Sequence, residues 1–120
     1  MSYWGYHLIL DCAKCDVEAI TNPEILKDFS NTLVEEIKMV KYGDPQILHF
    51  GHNEPHLAGW TVLQFIETSN IMCHFCDNTR EGYLDIFSCK KFDQQVAIDV
   101  VKRFFSPEKI RVTFLTRQAD

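Results

Sequence analysis

A chain of 120 residues, 46% hydrophobic and 24% charged, suits a single globular domain (1–120), and its five Gly and four Pro leave no room for a long linker. The formal charge of −5 provides no basic face for DNA, RNA or an anionic membrane, so neither a nucleic-acid nor a membrane partner is expected. The longest apolar run, near His7–Leu10, is too short to cross a bilayer, no signal-peptide pattern is present, and five cysteines, an odd number, fit a reducing compartment; a cytoplasmic protein is expected.

In chain order, Tyr3–Ala13 mixes aromatic and aliphatic residues over a strand's length and ends at Lys14-Cys15-Asp16. Asn22-Pro23 is a helix start, an N-cap side chain followed by a residue suited to the first turn. Ile25, Leu26, Phe29, Leu33, Ile37 and Val40 recur at helical spacing, so a first helix is expected over about Pro23–Met39, broken by Tyr42-Gly43-Asp44-Pro45. Gln46–Phe50 reads as a short strand, Gly51–Ala58 as a loop, and Trp60–Ile66 as an alternating strand. Asn70–Cys76 and Tyr83–Cys89 flank the polar turn Asp77–Gly82 as a hairpin. Asp93 caps a second helix with Val96, Ala97, Val100, Val101 and Phe104 on one face; Ser106-Pro107 stops it. Lys109–Thr116 is the last strand, with Ile110, Val112, Phe114 and Thr116 on one side.

The order strand, helix, three or four strands, helix, strand is most simply an α+β two-layer sandwich, a largely antiparallel sheet with two helices on one face. Its other face then needs a cover. The aromatic strands Tyr3–Tyr6 and Tyr83–Phe87 make a second copy of the chain the natural one, so a homodimer is expected, and half of a shared site can come from that copy.

Ser69 stands five residues before His74, and His74 fifteen before Cys89. On neighbouring strands, side chains of one sheet face can converge from distant sequence positions, so the three could form one site. Singly, each has a plain structural account: a turn-forming serine, a core or surface histidine, a small buried thiol. A rival constellation is Cys12-x2-Cys15 with Cys73-x2-Cys76, a possible four-thiolate zinc set. The 57 residues between its halves exceed the usual spacing of roughly 15–20. Both pairs also fall in expected strands, where positions three apart face opposite ways, so no metal is expected there. His49, His52 and His56 form a second possible ligand set within a polar loop.

Several motifs together resemble the short bacterial and archaeal form of the S-adenosylmethionine decarboxylase proenzyme family. They are Gly5-x-His7-Leu8 followed by Cys15-Asp16, then Ser69-x4-His74, then Asp85-Ile86-Phe87-Ser88-Cys89, in the family's order and spacing over nearly the whole chain. The resemblance implies cleavage between Thr68 and Ser69. Ser69 Oγ would attack the Thr68 carbonyl, breaking the peptide C–N bond and forming an ester. Loss of the serine α-proton then expels the Thr68 carboxylate, and hydrolysis of the resulting dehydroalanine releases ammonia and leaves a pyruvoyl group. That group is the implied cofactor; its ketone can take up a substrate amine as a Schiff base. His74 is implied in processing, Cys89 as proton donor during turnover, and His7, Asp11, Phe50, Asn70 and Asn78 in binding a small amino-acid-type substrate. The implied reaction is decarboxylation of S-adenosylmethionine for spermidine synthesis.

The chain departs from the family pattern within the site. Thr68 and Asn70 flank Ser69 where Glu and His are usual, Asn78 replaces a glutamate resembling one that holds the substrate ribose, and Thr61 stands for a serine eight residues before the cleavage serine. Two alternatives therefore stay open: the same machinery acting on ornithine or arginine, or an unprocessed, non-catalytic regulatory homologue.

Overall fold

The computed structural model describes residues 2–120, and its first strand shows how the layers arise. In β1 (Gly5–Ala13) Tyr6, Leu8, Leu10 and Cys12 are buried while His7, Ile9 and Asp11 are half-buried, the period of two that puts one strand face on a core. Asp16 then caps a helix, α1 (Val17–Ile20), that the sequence reading lacks; four residues are too few for a helical period to show. In α2 (Pro23–Glu36) the Asn22 carboxamide oxygen accepts from the Glu24 N–H at 2.9 Å, and Leu26, Phe29, Leu33 and Val34 are buried. The helix ends before the expected Met39 because Lys38 takes a left-handed φ of +60° and the Met39 N–H turns back to the Val34 carbonyl at 2.9 Å.

The expected break at Tyr42–Pro45 is instead part of β2 (Lys41–Phe50). Its register slips between Tyr42 and Gln46, Gly43 adopts φ +74°, and β2 lies at the sheet edge, so Pro45 interrupts no interior ladder. The buried Gln64 carboxamide donates to the Gly43 carbonyl at 3.1 Å and accepts from Ser30 Oγ at 3.3 Å, satisfying polar groups at the irregularity. β3 (Gly59–Ile66), β4 (Ser69–Phe75) and β5 (Gly82–Ser88) follow, then α3 (Gln94–Phe105), capped by Asp93 onto the Gln95 N–H at 2.9 Å, and β6 (Lys109–Arg117). Gly59 is required where it stands: a Cβ there would lie 1.6 Å from the Phe75 carbonyl oxygen.

The six strands form one sheet in the order β2-β3-β4-β5-β1-β6, every neighbouring pair antiparallel. The fold is the expected α+β sandwich, with three helices rather than two among the described residues. The helices and one sheet face enclose the core, where Phe105 meets Phe29 at 4.6 Å and Phe75 at 4.7 Å between ring centres. Among the described residues no helix lies over the opposite face, which presents Tyr42, Leu48, Phe50, Phe65, Met72, Tyr83 and Leu115, each 42–68% exposed. Among the described residues no helix is long and apolar enough to cross a membrane.

Cys12, Cys15, Cys73 and Cys76 are all buried. Cys15 and Cys76 fall beyond the ends of β1 and β4, not within strands as expected, their N–H groups bonded to the Arg80 and Glu81 carbonyls. Among the described residues no three His, Cys, Asp or Glu side chains come close enough to hold a metal ion. Burial pushes the Cys73 thiol far above its ordinary value, and a hydrogen bond with Cys15, then burial, does the same to Cys12.

Candidate active site

A two-residue connection, Glu67-Thr68, joins β3 to β4, with Ile66 paired to Ser69. Tight two-residue hairpins favour positive φ at the loop positions; here neither loop residue has it, and Ser69, the first residue of the returning strand, takes φ +156° instead. The peptide bond before it is held from the neighbouring strand. The Cys89 backbone N–H donates to the Thr68 carbonyl oxygen at 3.0 Å, and the Thr68 and buried Ser88 hydroxyls meet at 2.7 Å. Asn70 Nδ2 donates to Ser69 Oγ at 3.1 Å. Ser69, Thr68, Asn70 and Cys89 are thus one cluster at one end of the sheet, with the Cys89 side chain exposed.

His74 is not part of that cluster within one chain. It stands five positions from Ser69 along an extended strand, about 16 Å along β4. It stands on the open face, where Nε2 donates to the Leu57 carbonyl at 3.1 Å, leaving Nδ1 to accept from Thr61 Oγ1 at 2.6 Å. The Phe50 ring lies 5.7 Å away, and the Gly51–Ala58 loop folds back to deliver the Leu57 carbonyl. Phe50, Leu57, Thr61, Met72, His74, Tyr83 and Asp85 line a cleft of about 440 Å³. Tyr83 spends its hydroxyl on Glu81 at 3.0 Å, a bond that raises its phenol above the ordinary value and keeps it protonated.

The remaining expected binding residues divide. His7 bonds Asp85 Oδ1 through Nε2 at 3.0 Å and so reaches the cleft indirectly. Asp11 lies in a separate cleft with Glu81, Lys109 and Arg111. Asn78 donates to the Pro55 carbonyl at 2.9 Å and serves to hold the loop. Of the loop histidines, His49 pairs with Asp77 at 2.6 Å and approaches His52 at 3.3 Å, while His56 turns to Glu54 at 3.8 Å, so that set is split. Sequence reasoning missed the cleft positions Leu57, Met72, Tyr83 and Asp85. Strand alternation carried the signal for Met72, Tyr83 and Asp85, which share the parity of His74 once the pairing Met72↔Asp85 and His74↔Tyr83 is known. Leu57 acts through its backbone, which leaves no trace in residue type.

The family described as S-adenosylmethionine decarboxylase matches this chain over residues 6–118. A proenzyme of that name from Clostridium botulinum (strain Langeland) is 25% identical over 118 residues, covering 98% of this chain and 97% of the relative. One from Pyrococcus furiosus is 24% identical over 116 residues, covering 94% and 78%. The crystal structure of the adenosylmethionine decarboxylase from Aquifex aeolicus superposes with a TM-score of 0.81 at 19% identity, over 100% of this chain and 95% of that one, a likeness of fold. With the match running through every strand and helix described above, the chain belongs to the S-adenosylmethionine decarboxylase family.

Proposed function

We propose that this protein is a pyruvoyl-dependent decarboxylase of S-adenosylmethionine that makes its own cofactor by cleavage between Thr68 and Ser69. The observation that carries the proposal is the environment of that peptide bond: an unusual φ at Ser69 and a backbone donor, Cys89 N–H, on the Thr68 carbonyl oxygen. A donor there stabilises the negative charge that develops on oxygen when Ser69 Oγ attacks. Asn70 Nδ2 orients that hydroxyl. A pyruvoyl group at position 69 would supply an electron sink for loss of the substrate carboxylate. Cys89, beside it and exposed, is the group placed to return a proton to the substrate's α-carbon. The product would serve spermidine synthesis in the cytoplasm.

His74 acts in this scheme on the Ser69 of a second copy. A two-fold axis between two open sheet faces, perpendicular to the strands, reverses strand direction and lays the His74 end of one sheet over the Ser69 end of the other. Such a homodimer covers the exposed Tyr42, Phe65 and Met72 and completes two sites at once. In each, Thr61 and His74 come from one copy and Ser69 and Cys89 from the other.

Asn78, turned to the Pro55 carbonyl and away from the cleft, favours a second reading in which the substrate is smaller and lacks a ribose, ornithine or arginine. A denaturing mass spectrum of the purified protein tests the main proposal. Two chains, 1–68 and 69–120, are expected, the second blocked by pyruvoyl, while Ser69→Ala gives one chain. A wild-type protein that stays full-length after prolonged incubation refutes self-processing and leaves the non-catalytic regulatory reading. Carbon dioxide release with S-adenosylmethionine, ornithine and arginine supplied separately distinguishes the substrates.

A further inference from the structure

Among the described residues, the cleft beside His74 holds one charged side chain. Its lining otherwise consists of Phe50, Gly51, Leu57, Met72, Tyr83, Thr61 and His74, and the polar groups of the last three are already committed: Tyr83 to Glu81, and Thr61 and His74 to each other, with His74 also bonded to Leu57. Asp85 is different. Its Oδ1 takes the His7 bond, Oδ2 has no partner among the described residues, and its side chain is 46% exposed. His7, with 19% side-chain exposure, is wedged edge-on against Phe87 at 5.7 Å, and its Nδ1 is buried without a partner among the described residues. A ring that leaves one nitrogen unsatisfied and gives the other to a single carboxylate oxygen is placed to fix the direction of that carboxylate.

We infer that Asp85 is the residue that selects for positive charge in this cleft, contacting the sulfonium of the substrate, and that His7 is the positioning residue that aims it. This rests on the S-adenosylmethionine reading above. In that chemistry the substrate amine is taken up by the cofactor carbonyl, so the sulfonium is the cation that persists through turnover. An apolar cleft with one oriented carboxylate favours a fixed cation over a neutral thioether of nearly the same shape. Because Asp85 is half exposed, the discrimination is modest, roughly tenfold.

The test compares KM and kcat for S-adenosylmethionine with Ki for S-adenosylhomocysteine, which keeps the adenosine and amino-acid ends and lacks only the charged S-methyl group. In Asp85→Asn, KM should rise roughly tenfold, with kcat and the thioether's Ki changed by less than about twofold. His7→Gln keeps a side-chain N–H in reach of Asp85 and should stay near wild type; His7→Phe keeps the packing on Phe87, loses the donor, and should shift KM toward the Asp85→Asn value. Thermal unfolding midpoints close to wild type show that the variants are folded. If KM and Ki move together, or neither moves in Asp85→Asn, the inference is wrong. A cleaved wild-type protein that releases carbon dioxide only from ornithine or arginine overturns the substrate reading, and the inference with it.

Discussion

Replacing Cys89 by proline and, separately, by alanine separates the two tasks that meet at this position. The backbone N–H of Cys89 donates to the Thr68 carbonyl at 3.0 Å, whereas its thiol is exposed. Cys89→Ala keeps the N–H and should still cleave, but the processed protein should lose decarboxylation by about 10²- to 10⁴-fold, the usual contribution of one placed proton-transfer group. Cys89→Pro removes the N–H. As a ground-state hydrogen bond this costs about 1 kcal/mol of stability, but in the attack of Ser69 the acceptor becomes an oxyanion, and loss of one such donor is worth about 10²–10³ in rate, or roughly 3–4 kcal/mol. Position 89 follows the end of β5, and proline's preference for an extended preceding residue is met by Ser88, the last residue of that strand. The assay is a time course of fragment 69–120 by denaturing mass spectrometry from freshly synthesised protein, with unfolding midpoints to show that both variants fold. Equal cleavage rates in folded Cys89→Pro and Cys89→Ala would mean that the 3.0 Å contact plays no part in processing.

Two further outcomes follow from the geometry. Co-expressed Ser69→Ala and His74→Ala chains, each inactive in processing alone, should yield about a quarter of the wild-type amount of cleaved chain, because mixed dimers contain one complete shared site of two; no cleavage in the mixture would place the whole site in one chain. Stability should fall on the alkaline side: burial holds Cys73 protonated when folded, so its contribution is complete below the ordinary thiol value of 9.0. It is lost as pH rises above that value toward the folded one, at up to about 1.4 kcal/mol per pH unit. Denaturant unfolding from pH 7 to 10.5 checks this, and Cys73→Ala should flatten the slope; a slope the same with and without Cys73 would contradict it.

The amino-acid sequence was sufficient for the strands that alternate, for both long helices with their caps Asn22 and Asp93, and for the order of Ser69, His74 and Cys89 that carries the family resemblance, because periodicity, capping chemistry and motif spacing are local properties of a chain. It did not reveal α1, which is shorter than the pattern that would announce it, nor the strand hidden in Tyr42–Pro45, where a buried Gln64 on β3 supplies the hydrogen bond that lets an irregular edge survive. The pairing of His7 with Asp85, 78 residues apart, exists only because β1 and β5 are neighbours. The same holds for the division of the expected site. Sequence spacing placed Ser69, His74 and Cys89 on adjacent strands, but a five-residue interval in an extended strand is distance as well as order. Cys89 is brought to Ser69 by the β4–β5 register, while His74 is carried to the far end of the open face, where it meets Thr61 and Phe50.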